Sequence, residues 1–217
     1  LYDVNQEAIL RLKPDIVFTD GSQIFKEKKL FLEVNGIQIL ELPTRSLNDV
    51  FRNIEQIGKF FHLETRSKQL ISSIKDSLRY YSEKIRTKKG DRNLKFLLVI
   101  GRNPGTLSGI YVAGKQTFLS DLFEMGGLKN VMEREGYFQI NPERLVRKPI
   151  DLIIEIRAGA DENLMKAMMN DWYSSPLLET FDFRVIGLNG DYVAVPGPRI
   201  YLILKEFYKK WSNDGEK

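Results

Sequence analysis

Neither proline nor glycine interrupts the chain from Leu63 to Lys89, and Leu70, Ile71, Ile74, Leu78, Tyr81 and Ile85 recur within it every three or four positions. That spacing lines one face of a helix with apolar side chains. At 1.5 Å per residue such a helix makes about seven turns and spans roughly 35–40 Å. A coiled-coil arm is the plainer reading, but the stripe covers too few heptads for it. Strand-like and helix-like segments alternate on both sides of this rod, so it joins two α/β parts.

Two phrases tie those parts together. "NQEAILRLKPDIV" begins at Asn5 and "NPERLVRKPIDLI" at Asn141, and their Asn, Glu, Arg and Asp coincide without gaps. In each copy the asparagine is a good N-cap, because its side chain can accept from the free amides of a first helical turn. Pro142 at the first helical position loses no hydrogen bond. Glu7 and Glu143 fall in that first turn, where the helix dipole favours negative charge by about 0.3–1 kcal/mol. Lys13-Pro14 and Lys148-Pro149 stop the short helix, and the apolar runs "DIVFTD" and "DLIIEI" read as parallel strands covered on both faces.

The remaining punctuation fills in the pattern. "GSQIFKEKKLFLEVNG" reads as a loop and helical patch, "IQILEL" as a strand, and "SLNDVFRNIEQIGKFF" as a helix capped by Ser46. After Gly90 come the strand "LKFLLVIG", the glycine-rich loop "RNPGTLSGIYVAG" and the helix "KQTFLSDLFEMGG". A helix running to about Trp172, a strand "FRVIGLNG", a loop "DYVAVPGPR" and a closing helix complete the chain. The expected architecture is α/β: two lobes with mainly parallel central sheets flanked by helices, joined by one long helix. The lobes are placed at residues 1–62 and 90–217, with the linking helix at 63–89.

Composition narrows the function. Thirty-three Lys and Arg against 29 Asp and Glu leave a net charge of +4 that is spread along the chain. The short runs Lys26–Lys29 and Arg86–Lys89 read as solvated loop charges, so no nucleic-acid footprint is expected. No apolar run approaches the ~20 residues needed to cross a bilayer. With no cysteine in the chain, disulfides and thiolate chemistry are excluded. His62 is the only histidine, which leaves a bare metal site poorly supplied with ligands. "GRNPGTLSG" lacks the Gly-Lys-Ser/Thr ending of a phosphate-binding loop. Neither G-x-G-x-x-G nor G-x-S-x-G occurs, and no acid/base pair stands out. The fold would still permit an α/β nucleotide- or cofactor-binding enzyme, the alternative reading.

Taken in order, "NQEAILRLKPDIV", the "SLNDVFRNIEQIG" helix, the linking helix, "YVAGKQTFLSDLFEMGGLKN", "INPERLVRKPIDLII" and the terminal "PGPRI" give the chain a family likeness. It resembles the substrate-binding proteins of ABC importers for ferric siderophores, haem and cobalamin. The resemblance implies a solute-binding component, not an enzyme, that holds a metal chelate in an inter-lobe cleft and delivers it to permease subunits in the membrane. It implies a periplasmic or extracellular location, either free or held by a lipid anchor whose signal lies outside the chain. Family members begin with about one more strand–helix–strand unit, so an N-terminal piece is expected to be missing here. The resemblance makes Glu7 and Glu143 the docking residues, one per lobe, for arginines of the permease.

Loops at strand ends supply the ligand-site candidates. In the first lobe these are Asp20, Gly21 and Ser22, then Pro43, Thr44 and Arg45; in the second they are Arg102, Asn103, Tyr111, Arg157, Tyr192 and Arg199. Arginines suit carboxylates, haem propionates or catecholate oxygens, and tyrosines offer a flat apolar face with one polar tip. No cofactor is expected beyond the metal carried inside the chelate. Tyr111 or Tyr137 is the candidate to ligate a haem iron. Arg199 has a second reading as an anchor for the closing helix, and Trp172 reads as core.

Overall fold

The computed structural model describes residues 5–21 and 23–213. By its internal packing the chain divides into two compact units, Leu1–Thr44 and Arg45–Lys217.

The smaller unit contains α1 (Gln6–Leu12), β1 (Ile16–Thr19), α2 (Gln23–Val34) and β2 (Gln38–Glu41). Asn5 caps α1 as its sequence suggests: its side chain accepts from the Ala8 amide, and Lys13 ends the helix in the left-handed region at φ 47°. β1 and β2 pair in parallel. A small core of Leu32 and Ile37, supported by Ile9, Leu10, Val17 and Ile39, lies beneath them. The expectation that β1 is covered on both faces fails here, because Phe18 is 50% exposed. Among the described residues β1 has one strand neighbour, β2, in a sheet of only two strands. Lys29 belongs to α2 rather than to a loop, and its ammonium pairs with Glu41 at 2.8 Å.

In the larger unit α3 (Leu47–Phe60) opens with a capping box. The Ser46 side chain accepts from the Asp49 amide while the Asp49 carboxylate accepts from the Ser46 amide, which satisfies two otherwise orphaned donors. Burial alone would raise the Asp49 pKa, but the Ser46 amide and hydroxyl, Arg52 and the Arg45 amide hold it below its ordinary value. α3 packs against the long helix α4 (Glu64–Lys89) and against α5 (Phe118–Met125), so it belongs to the larger unit and not to a first lobe ending at residue 62. The two helices approach so closely that a Cβ on Gly58 would lie 2.3 Å from the Ser67 hydroxyl. Gly90, at φ 59°, ends α4. Arg86, Lys88 and Lys89 sit in the last turn of α4 instead of in a loop, where the carbonyl end of the dipole favours them.

The central sheet has the order β6-β4-β3-β7-β8, with β5 beside β3. Its strands are β3 (Lys95–Gly101), β4 (Ile110–Ala113), β5 (Lys129–Asn130), β6 (Tyr137–Ile140), β7 (Leu152–Ile156) and β8 (Arg184–Leu188). β3, β5, β7 and β8 run parallel, whereas β4 is antiparallel to both β3 and β6. The glycine-rich segment after β3 is therefore part strand, and "LKNVMEREGYFQI" contributes two short strands that local sequence does not announce.

Alternation divides the core between the two faces of the sheet. Phe96, Leu98, Leu152, Ile154 and Ile156 face α3, α4, α5 and α7 (Tyr201–Asn213). Leu97, Val99, Ile153 and Val185 pack on the other face with Trp172 of α6 (Glu162–Tyr173). Phe123 sits between Phe96 and Phe207, its ring centroid 5.6 and 5.1 Å from theirs. Burying a side chain of this size contributes about 1.5–3 kcal/mol.

The second copy of the repeat departs from the first. Pro142–Arg144 is a 3-10 turn, and Asn141 makes no side-chain cap hydrogen bond. Leu145, fully buried, pulls the chain into the core straight after it, so no helix has room to develop.

Candidate functional site

Because β3, β7 and β8 are parallel, Gly101, Ile156 and Leu188 leave the larger sheet at one edge. β4 enters and β6 leaves at the same edge, which adds Tyr111 and the Asn141–Glu143 turn. Ligands of open α/β sheets bind beyond such carboxyl ends. Of the sequence candidates, this edge gathers Asn103, Tyr111, Arg157, Tyr192 and Arg199. Arg45 is exposed just before α3, and its carbonyl accepts from the Phe118 amide at 2.9 Å. In the smaller unit, Asp20 and Gly21 follow β1, and Pro43 and Thr44 follow β2. Ser22 lies outside the described residues.

Arg102 is not a pocket residue. Its side chain is wholly buried, with Nε 2.8 Å from Glu155 Oε1 and Nη1 2.9 Å from Asp171. Nη2 donates to Glu155 Oε2 at 3.1 Å and to the Met168 carbonyl. Nη1 also reaches the Thr106 carbonyl at 2.7 Å. Trp172 Nε1 donates to Glu155 at 2.6 Å, and the Gly105 amide donates to Asp171 at 3.0 Å. The network therefore fixes the start of the loop leaving β3 to β7 and α6. Burial lifts the Glu155 pKa above its ordinary value, although Arg102 and Trp172 pull the other way.

Tyr192 and Arg199 form a second cluster. The Tyr192 hydroxyl donates to Glu206 at 2.7 Å, and Glu206 pairs with Lys210 at 3.0 Å. Lys210 in turn donates to the Gly187 carbonyl and to Asn189 at 2.8 and 3.1 Å. Burial, then the bond and charge of Glu206, then Asp191, push the Tyr192 phenol upward. The Arg199 guanidinium stands 5.9 Å from the Tyr192 ring centroid, and its Nη1 binds both Asp191 oxygens, at 2.9 and 3.1 Å. It anchors its own loop rather than capping α7. One residue earlier, Pro198 borders an apolar groove of about 210 Å³ formed by Ile54, Ile57, Leu63 and Leu70.

Asn103 turns its amide onto Ser108 at 3.0 Å, closing its own loop. Arg157 is half-buried, and Arg45 is exposed. Neither side chain has an ion-pair partner among the described residues, which leaves two guanidinium groups open to a ligand anion. Tyr111 is 42% exposed, and its hydroxyl donates to the Tyr137 carbonyl at 3.4 Å. The Tyr137 phenol is pushed up to about 12, chiefly by burial, with Asp121 and Tyr111 adding to the shift.

Glu7 and Glu143 are both exposed, each at the start of its turn, and neither has an ion-pair partner among the described residues. Beside Glu143 a groove of about 550 Å³ is bounded by Leu107, Ser108, Ile140 and Leu177. His62 sits between α3 and α4 at φ 56°. Among the described residues no three His, Cys, Asp or Glu side chains gather as metal ligands. No helix among them is long and apolar enough to cross a membrane.

Sequence reasoning missed Glu155, Asp171, Asp191 and Glu206. Only Asp191, eight residues from Arg199 in the same glycine- and proline-rich loop, carried a local signal.

Comparison with known proteins adds the lineage. The family model described as "Periplasmic binding protein" matches residues 2–168. An ABC transporter substrate-binding lipoprotein of Bacillus subtilis, YvrC, is 27% identical over 205 residues, covering 91% of this chain and 62% of that one. The chain thus spans less than two thirds of that relative. The vitamin B12-binding protein of Vibrio parahaemolyticus is 24% identical over 199 residues, covering 90% of this chain and 68% of that one. Among solved structures, IsdE of S. aureus complexed with heme matches with a TM-score of 0.71 at 20% identity. That match covers 94% of this chain and 79% of the other, and it establishes likeness of fold. The matched family comprises binding proteins and not enzymes. With most of its length accounted for by that model, the chain belongs to the periplasmic binding protein family.

Proposed function

We propose that the chain is the solute-binding component of an ABC importer, acting outside the cytoplasmic membrane on a metal-chelate nutrient. The candidates are an iron-siderophore, haem and cobalamin. The observation that carries the reading is the carboxyl edge of the larger sheet. There Tyr111 stands at the start of β4, Arg157 follows β7, and Tyr192 and Arg199 follow β8; the buried Arg102 network fixes the neighbouring loop after β3, and Glu206 holds Tyr192. Arginine and tyrosine on a rigid rim suit a large, flat or lobed ligand bearing anionic groups. Membership in the family supports it, as do the relatives named for substrate binding and vitamin B12 binding. Asn103 completes the contact set at this edge, and Arg45 supplies a further cation.

Delivery to the permease is assigned to Glu7 and Glu143, whose exposed carboxylates await arginines of the two membrane subunits. Native mass spectrometry with haem, cobalamin and a ferric siderophore panel tests the first half, the expected result being one chelate retained without turnover. Retention of none would overturn it. For the second half, changing both glutamates to alanine should abolish uptake by cells while ligand affinity stays intact. Undiminished uptake would remove the docking role.

A further inference from the structure

Arg199 already holds a carboxylate. Asp191 places both oxygens on the single nitrogen Nη1, and the two side chains are 54% and 71% exposed. This is not the two-nitrogen fork that a guanidinium offers a carboxylate at its best. Behind the pair the support is firm, since Tyr192 is tied through Glu206 to Lys210 and the end of β8. The cation thus leans on a ring that is itself firmly held, while its counter-ion is the more exposed member of the pair.

Resting on the reading of this edge as the ligand site, we infer that Asp191 is a built-in competitor for Arg199. A ligand carboxylate must displace it to gain the fork, so Asp191 sets how strongly the protein prefers carboxylate-bearing chelates over carboxylate-free ones. Exposed pairs of this kind are held together by a factor of roughly two to five. Displacement is therefore easy, but the displaced Asp191 carboxylate still repels the arriving anion.

The test compares Asp191→Asn and Asp191→Ala with the unaltered protein, using hemin and ferric citrate as carboxylate-bearing probes and cobalamin as a carboxylate-free one. Both variants should bind at least one carboxylate probe about three- to tenfold more tightly at low salt. Cobalamin affinity should stay within about twofold, and the gain should vanish when Arg199→Gln is added. No gain on either carboxylate probe, an equal gain on cobalamin, or a gain that survives Arg199→Gln would each overturn the inference. The proposed function fails separately, if the unaltered protein retains no chelate of any kind.

Discussion

Replacing Arg102 by methionine should produce the largest single loss of stability at the carboxyl edge of the larger sheet. The side chain is 0% exposed and Glu155 beside it 1% exposed, so the change leaves a carboxylate buried with only the Trp172 indole as donor. Breaking one partner out of a buried ion pair typically costs about 3–5 kcal/mol. For a chain of this size that corresponds to a fall in Tm of roughly 6–20 °C. The loss must also depend on pH. Glu155 is already lifted above its ordinary value of 4.5 by burial, against the pull of Arg102, and removing the arginine lifts it further. An acid whose folded pKa is raised binds its proton more tightly when folded, so stability falls as pH climbs from the unfolded value through the folded one. The deficit of Arg102→Met should therefore grow as pH rises above the ordinary carboxylate range. Adding Glu155→Gln, which keeps an acceptor for Trp172, should recover much of it. Denaturant titrations of the single and double variants across that rise in pH supply the numbers. A deficit below about 1 kcal/mol, or one flat with pH, would refute the idea that the pair is the buried hub of this edge.

Two further outcomes follow from the packing and the phenols. Gly58→Ala drives a methyl to within 2.5 Å of Ser67 Cβ and should cost about 1–3 kcal/mol; Ser67→Gly should restore most of it, and strictly additive effects in a thermal double-mutant cycle would exclude the clash. Tyr137, raised to about 12, should contribute stability that is full below pH ~10 and lost as pH rises toward the folded value. An ultraviolet titration in which Tyr137→Phe removes an early-ionising phenol instead of a late one would contradict its burial.

Features decided by neighbours in the chain were legible from sequence. Asn5, Ser46 and Gly90 each mark a helix end through contacts within four residues, and α4 is announced by its own stripe. β4, β5 and β6 were not, because strands of two to four residues between glycines show no periodicity of their own and exist through their partners. Asn141 shows the limit from another side. It stands in the same words as Asn5, yet the burial of Leu145 replaces a helix with a single tight turn. The candidate edge was readable as a set of loops, but not which cations in it are free. Arg102 and Arg199 look alike in sequence, and only partners 53 and 69 residues away commit the first to the interior.

The pairing of β3 also bears on how the molecule is made. On one side it takes β4 and β5, which follow it closely in the chain; on the other it must wait for β7, beginning at Leu152. Until then "KFLLVIG" presents an apolar edge with unpaired amides and carbonyls, a template for any other extended chain nearby. Asp151 closes that interval when it arrives, its carboxylate accepting from the Lys95 amide at 2.6 Å while its own amide donates to the Lys95 carbonyl at 2.9 Å. The middle of the finished sheet is thus the stretch whose edge waits longest for its partner during synthesis, and the one most open to misassembly.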